Sequence, residues 1–153
     1  MPLFPWNKKK EFFTPAEKIQ LVESIQKAEL RTSGEIRVFF ESKCRFVNAI
    51  DRAKELFFKL EMDKTELRNA TLIYVAIHDK QAAVFGDEGI HQKVGTKYWQ
   101  DVVEKMLLYF QKNNLADGVC QGISDLGEAL VHYFPYDRST DKNELPDDII
   151  FGK

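Results

Sequence analysis

Carboxylates stand beside amides and glycines at several points of this chain, and that is the chemistry its residue types offer most readily. Glu35 follows Gly34, the polar loop from Asp63 to Asn69 reads DKTELRN, and Gly86-Asp87-Glu88-Gly89 forms a second polar turn. Gathered carboxylates with an amide oxygen suit a hard cation such as calcium or magnesium. The candidate metal ligands are therefore Asp63, Asn69, Asp87 and Glu88, with Glu35 alongside. Lys64 and Arg68 share the loop and offer a rival way to neutralise it, as an ordinary surface ion-pair network. A plainer reading is also open. Gly86 and Gly89 then supply turn geometry, and Asp87 and Glu88 favour the positive end of the short helical stretch that follows.

Other constellations are less coherent. The chain has no helix-loop-helix calcium spacing, no GxxxxGKS or GxxxxGKT, no GxSxG and no HExxH, so the familiar phosphate, hydrolase and zinc signatures are missing. Cys44 lies between Lys43 and Arg45, cations that lower a thiol pKa, but no histidine is near it in sequence to act as base. Ser42, His78 and Asp79 belong to that same neighbourhood. His78 reads as a hairpin residue and His132 as a cation near a helix end. Tyr98 and Trp99 in KYWQ fall on core spacing. No nucleophile or general base stands out, and no catalytic residue is assigned.

The elements that must position these residues follow from periodicity. Thr14-Pro15-Ala16-Glu17 is a capping box with proline at the first helical position, and Phe13 stands where a hydrophobic staple would hold it. Ile19, Val22, Ile25 and Glu29, widened by Leu21 and Ala28, make a helical stripe ending near Arg31. Residues 35–41 (EIRVFFE) alternate as a strand, with Ile36, Val38 and Phe40 on one face. A second helix fits Val47 to Leu60 through Ile50, Ala53, Leu56, Phe57 and Leu60. Residues 70–77 (ATLIYVAI) are almost wholly apolar, as befits a strand buried on both faces. Residues 81–85 return as a third strand. Thr96 caps a helix whose stripe is Tyr98, Val102, Met106 and Phe110. Asn114 caps another, with Asp117 in the reciprocal position, and Pro135 stops it.

The order αβαββαα predicts an α/β protein, a three-layer α/β/α sandwich around a small mixed sheet. The first two strands are joined through a helix and run parallel, with a right-handed crossover; the third is antiparallel. That topology brings Glu35, the 63–69 loop and the 86–89 turn to one sheet edge. The domain spans 12–135, between a flexible segment 1–11 carrying Leu3, Phe4 and Trp6, and an acidic tail 136–153 in which Leu145 and Ile149 to Phe151 are placed to strap onto the domain.

The totals agree with a single domain. The 153 residues are 44% hydrophobic and 30% charged, with a net charge of −2, which gives no global pull toward nucleic acid or anionic lipid. No apolar run reaches transmembrane length. Cys44 and Cys120 lie far apart outside any CxxC spacing and read as free thiols of a reducing compartment. The opening MPLFPWNKKK inverts a secretory signal, so the expected location is the cytoplasm.

These pieces in this order resemble the TPM domain family. The resemblance covers residues 12–134 and rests on SGEIRV at 33–38, DKTELRNATLIYVAIHDK at 63–80, GDEGI at 86–90 and NNLADGV at 113–119. Asn69 takes the place of the family asparagine, with Ala70 for its glycine, and Asp79 takes the turn aspartate. Gly86 and Gly89 match the two glycines with one residue inserted; His91 and Asn114 replace acidic positions. Members include thylakoid-lumen proteins, photosystem repair factors and channel modulators. The resemblance implies phosphatase activity for some, divalent-metal binding for some, and assembly or regulatory roles for others. It also implies a stand-alone branch without the signal and anchor of many relatives. The function expected is a regulatory or interaction module with a weak calcium or magnesium site and an unidentified protein partner; the alternative is a metal-assisted phosphatase acting on a phosphomonoester.

Overall fold

A computed structural model of the chain describes residues 13–45, 48–136 and 149–152. The N-terminal segment 1–11 and most of the tail, including Leu145, lie outside the described residues.

Helix α1 (Pro15–Glu29) starts with the expected capping box. The Glu17 N–H donates to Thr14 Oγ1 at 3.1 Å, and the Thr14 N–H donates to Glu17 Oε1 at 2.9 Å. Two otherwise orphaned amides are thereby satisfied. Phe13 is buried and packs edge-on against Phe40, with ring centroids 4.8 Å apart, so it fixes the helix start to the sheet. The buried face centres on Leu21 and Ile25, while Ile19 is 58% exposed; the stripe is rotated from the one Ile19 would begin.

Strand β1 (Glu35–Glu41) runs parallel to β2 (Ala70–Ala76), with Glu35 opposite Ala70 and Glu41 opposite Ala76. Strand β3 (Gln81–Gly86) runs antiparallel to β2, from Ala76 opposite Gln81 to Thr71 opposite Gly86. Every residue of β1 and β2 is buried, as expected of strands covered on both faces. Helix α2 (Ala49–Lys59) covers one face, where Phe57, Met62, Leu72 and Tyr74 pack together. Helices α1, α3 (Glu88–Gln111) and α4 (Leu115–Tyr133) cover the other, around Ile36, Val38, Phe40, Ile73 and Met106. The three layers are those expected.

Two features differ from the sequence reading, the fourth strand and the cap of α4. A fourth strand, β4 (Ile149–Phe151), pairs parallel to β1, giving the order β3-β2-β1-β4. A three-residue strand has no alternation to read; it is held because Phe151 stacks on Phe40 at 5.4 Å and the Gly152 N–H donates to the Phe40 carbonyl at 2.6 Å. The short helical stretch expected after Asp87 and the helix expected from Thr96 are both present, and together they form α3, broken at Gly95, whose φ is +80°, a conformation that suits glycine. Asn114 precedes α4 but makes no side-chain cap bond. Asp117 accepts instead from Gln20 Nε2 at 2.9 Å, tying α4 to α1. Among the described residues no helix is long and apolar enough to cross a membrane, and Cys44 and Cys120 are both free thiols.

Candidate functional site: an acidic edge opening into an apolar groove

The expected edge exists, and Arg68 organises it. Asp87 is buried at 2% exposure. Its carboxylate accepts a two-pronged contact from the guanidinium, Arg68 Nε to Oδ2 at 2.6 Å and Nη2 to Oδ1 at 2.8 Å. Oδ1 also accepts the Glu88 N–H at 2.8 Å, so Asp87 is the N-cap of α3. Arg68 Nη1 reaches Glu88 Oε1 at 3.3 Å. The hydrogen bonds that Arg68 donates to Asp87, and then the charges of Asp87, Glu88 and Asp63, outweigh burial and raise the Arg68 pKa above its ordinary value. Arg68 is thus the hub, and both Asp87 oxygens are engaged by it and by the helix.

The glycines act through close approach. Gly86 and Gly89 were expected to supply turn geometry, but among the described residues only Gly95 among the glycines has a left-handed φ. A Cβ on Gly89 would lie 2.2 Å from the Leu67 carbonyl oxygen and 2.5 Å from that of Arg68. The start of α3 therefore rests directly on the 67–68 backbone, which brings the guanidinium to Asp87. A Cβ on Gly86 would lie 2.4 Å from the Trp99 ring, so the missing side chain is the seat of the indole. Arg68 itself has a φ of +53°, an unfavourable conformation for a residue with a Cβ.

The remaining candidates separate. Asn69 is 1% exposed; its Nδ2 donates to Ser33 Oγ at 3.3 Å, and its Oδ1 has no hydrogen-bond partner among the described residues. Asp63 and Glu88 are half-buried and exposed respectively. Glu35 is buried in β1. Among the described residues no group of three or more His, Cys, Asp or Glu side chains is arranged to hold a metal. At the other end of the sheet the Cys44 N–H donates to Asp79 Oδ2 at 2.8 Å, and the His78 N–H to the Ser42 carbonyl at 2.8 Å.

Two arrangements escaped the sequence reading. The first is a polar network: Arg52 Nε and Nη2 donate to Glu41 at 3.0 and 2.8 Å, and the buried Tyr74 hydroxyl donates to Glu41 Oε2. Burial pushes the Glu41 pKa up, but the Arg52 and Tyr74 hydrogen bonds outweigh it and hold the carboxyl below its ordinary value. The second is a groove of about 930 Å³ between α2 and α3. Residues 82–86 of β3 form its floor, Ile50 and Phe58 stand on the α2 wall, and Trp99 and Val103 on the α3 wall. Ile50 and Phe58 are each 45% exposed. Ile50 was expected in the core stripe; α2 instead buries Ala49, Ala53, Leu56 and Phe57. The Arg68, Asp87 and Glu88 cluster closes one end of the groove, with His91 beside it. Trp99 Nε1 donates to His91 Nδ1 at 2.8 Å, which leaves Nε2 as the protonated nitrogen of the neutral ring.

Comparison with known proteins agrees with the fold. The chain is 40% identical to the BA42 protein of the psychrophilic bacterium Bizionia argentinensis, covering 95% of this chain and 99% of that one with a TM-score of 0.84. Two more distant structures share the fold. The N-terminal domain of cg2496 from Corynebacterium glutamicum is 10% identical, covering 89% of this chain and 81% of that one at a TM-score of 0.62. An N-terminal domain from P. gingivalis is 12% identical, covering 82% and 83% at a TM-score of 0.65. No curated protein matches. The profile of the TPM domain matches residues 6–129, most of the length, and the chain belongs to the TPM domain family.

Proposed function

We propose that this TPM domain is an interaction module that receives a protein partner in the groove between α2 and α3. The observation that carries this reading is the groove itself: about 930 Å³, floored by an edge strand and flanked by the half-exposed Ile50 and Phe58. Apolar surface left open in a groove gains free energy when a partner covers it. Photo-reactive residues placed singly at Ile50, in the groove, and at Ile19, on the exposed side of α1, test the reading in cells expressing the full chain. Discrete adducts from position 50 that Val103→Arg suppresses are expected. Equal adducts from both positions contradict it.

A weak calcium or magnesium site at Asp63, Asn69, Asp87 and Glu88 is proposed beside this role, in competition with Arg68. A cation must draw Asp87 away from the guanidinium, which limits its affinity. The unpartnered Oδ1 of Asn69 is the observation that favours it. Removing Arg68 is expected to tighten binding of either ion in a calorimetric titration; unchanged or weaker binding speaks against the site. The same preparations, assayed on a phosphomonoester, test the metal-assisted phosphatase alternative.

A further inference from the structure

The floor of the groove is closed to main-chain pairing. Val84 is 2% exposed, and Gly86 is buried beneath the Trp99 ring. An occupant is therefore recognised by its side chains, seated between Ile50 and Phe58 on one wall and Trp99 and Val103 on the other. Its own backbone polar groups must stay in water or be satisfied within the segment. A polyproline-type segment meets that condition, because its backbone is solvated without internal hydrogen bonds. Segments of this kind dock in aromatic-lined grooves, and this groove carries the rings of Phe58, Phe85 and Trp99. The lining also has a sign. Asp87, Glu88 and Glu104 stand against the single guanidinium of Arg68, and Glu88 and Glu104 are exposed.

The chain itself carries a segment of complementary chemistry. Residues 1–10 read MPLFPWNKKK. Pro2 and Pro5 fix φ at the polyproline value and hold the residues before them extended. With three residues per turn, Leu3 and Trp6 fall on one face, with Phe4 beside them and Lys8, Lys9 and Lys10 following. The attachment point suits this site. Phe13 packs on Phe40, and the sheet register places Phe40 in one row with Val75 and Ala82. Ala82 lines the groove and is two strand spacings from Phe40, about 10 Å. Ten residues of extended chain before Phe13 span about 30 Å, enough to pass round the end of the sheet and bring Leu3 to the groove.

We infer that residues 3–10 occupy the groove in cis, with Leu3, Phe4 and Trp6 on the apolar walls and the three lysines against the carboxylate rim, so that a partner must displace them. This supplies the regulation of the interaction module and rests on that reading for the partner. Tethering gives the segment an effective concentration in the millimolar range. The affinity of a partner for the groove is reduced by the fraction of molecules in which the segment holds it.

The test compares the full chain with a full-length variant in which Leu3, Phe4 and Trp6 are all replaced by serine. The methyl NMR signals of Ile50 and Val103 and the Trp99 indole signal are expected to shift between the two, with the Leu30 methyls, at the far end of α1, unchanged. A synthetic peptide of residues 1–10 is expected to restore the wild-type positions when added to the serine variant, and wild type is expected to need about tenfold more peptide to respond. A second variant, with Lys8, Lys9 and Lys10 replaced by glutamate, is expected to move the same signals part of the way, and less at high salt. Identical groove signals in wild type and the serine variant overturn cis occupancy, and so do shifts confined to residues outside the groove. Wild-type signals that change with protein concentration identify the segment of a second copy as the occupant and also overturn it. The Ile50 adducts separate this inference from the reading beneath it. Adducts that form as expected although the groove signals are identical leave the interaction module standing without this regulation. Groove signals that shift as expected, with equal adducts from positions 50 and 19, leave an internal seat and overturn regulation of a partner. If both hold, the serine variant is expected to give more adducts from position 50 than wild type.

Discussion

Arg68 carries two opposed energies. Its guanidinium satisfies a buried carboxylate, but its backbone stands at a φ of +53°, which costs about 1–2 kcal/mol for a residue with a Cβ. Arg68→Ala keeps that cost and loses the ion pair, and is expected to destabilise by about 1–3 kcal/mol. Arg68→Gly loses the same pair without the backbone cost, so it is expected to be the milder variant by up to about 1 kcal/mol. Urea denaturation of both against wild type checks the order. Glu41 gives a pH prediction. Its folded pKa lies below the ordinary value of 4.5 because Arg52 and Tyr74 outweigh burial. Its contribution is therefore fully present above about pH 4.5 and is lost as the pH falls through the depressed folded value. Glu41→Gln is expected to lower stability at neutral pH by about 1–3 kcal/mol and to flatten the acid limb of the stability curve. An acid limb as steep as in wild type contradicts this. The sequence exposed the residue types at these places but not their pairing. Asp87 and Arg68 lie 19 positions apart, and spacing alone did not decide between metal ligation and ion pairing. The Gly89 contact with the 67–68 backbone decides their approach, and no local pattern encodes it.

At the scale of elements, the readable ones were those with a period or a cap. The capping box of α1, the alternation in β1 and the apolar run of β2 each state a backbone conformation locally. Strand β4 does not, because three residues carry no period and its stability comes from Phe151 on Phe40. The groove was not legible for a related reason: Ile50 reads as core on a helical wheel, and only the rotation of α2 places it on a wall. Gly89→Ala is expected to destabilise by about 1–3 kcal/mol, because the Cβ meets backbone that cannot swing aside. It should also displace Arg68 from Asp87, visible as a shift of the Arg68 Nε–H NMR signal. Gly95→Ala has open space for its Cβ, so its cost is the left-handed backbone alone, about 1–2 kcal/mol. Thermal denaturation of the two variants, with the Arg68 signal unchanged in Gly95→Ala, separates close approach from backbone strain.

Across the whole molecule the sheet manages its two ends differently. The β1 edge is covered by β4, while β3 ends the sheet order among the described residues and floors the groove. Removing residues 149–153 is expected to lower stability by about 1–3 kcal/mol, through loss of the Phe151 ring from Phe13 and Phe40. Urea denaturation checks it. The central claim concerns the groove. Hydrogen exchange of the full chain, measured with and without the partner recovered through the Ile50 cross-link, tests it most directly. The account predicts slowed exchange along the α2 and α3 walls of the groove on binding, with the α1–α4 surface unchanged. Protection confined to α1 and α4, with exchange at the groove walls unaltered, would contradict it.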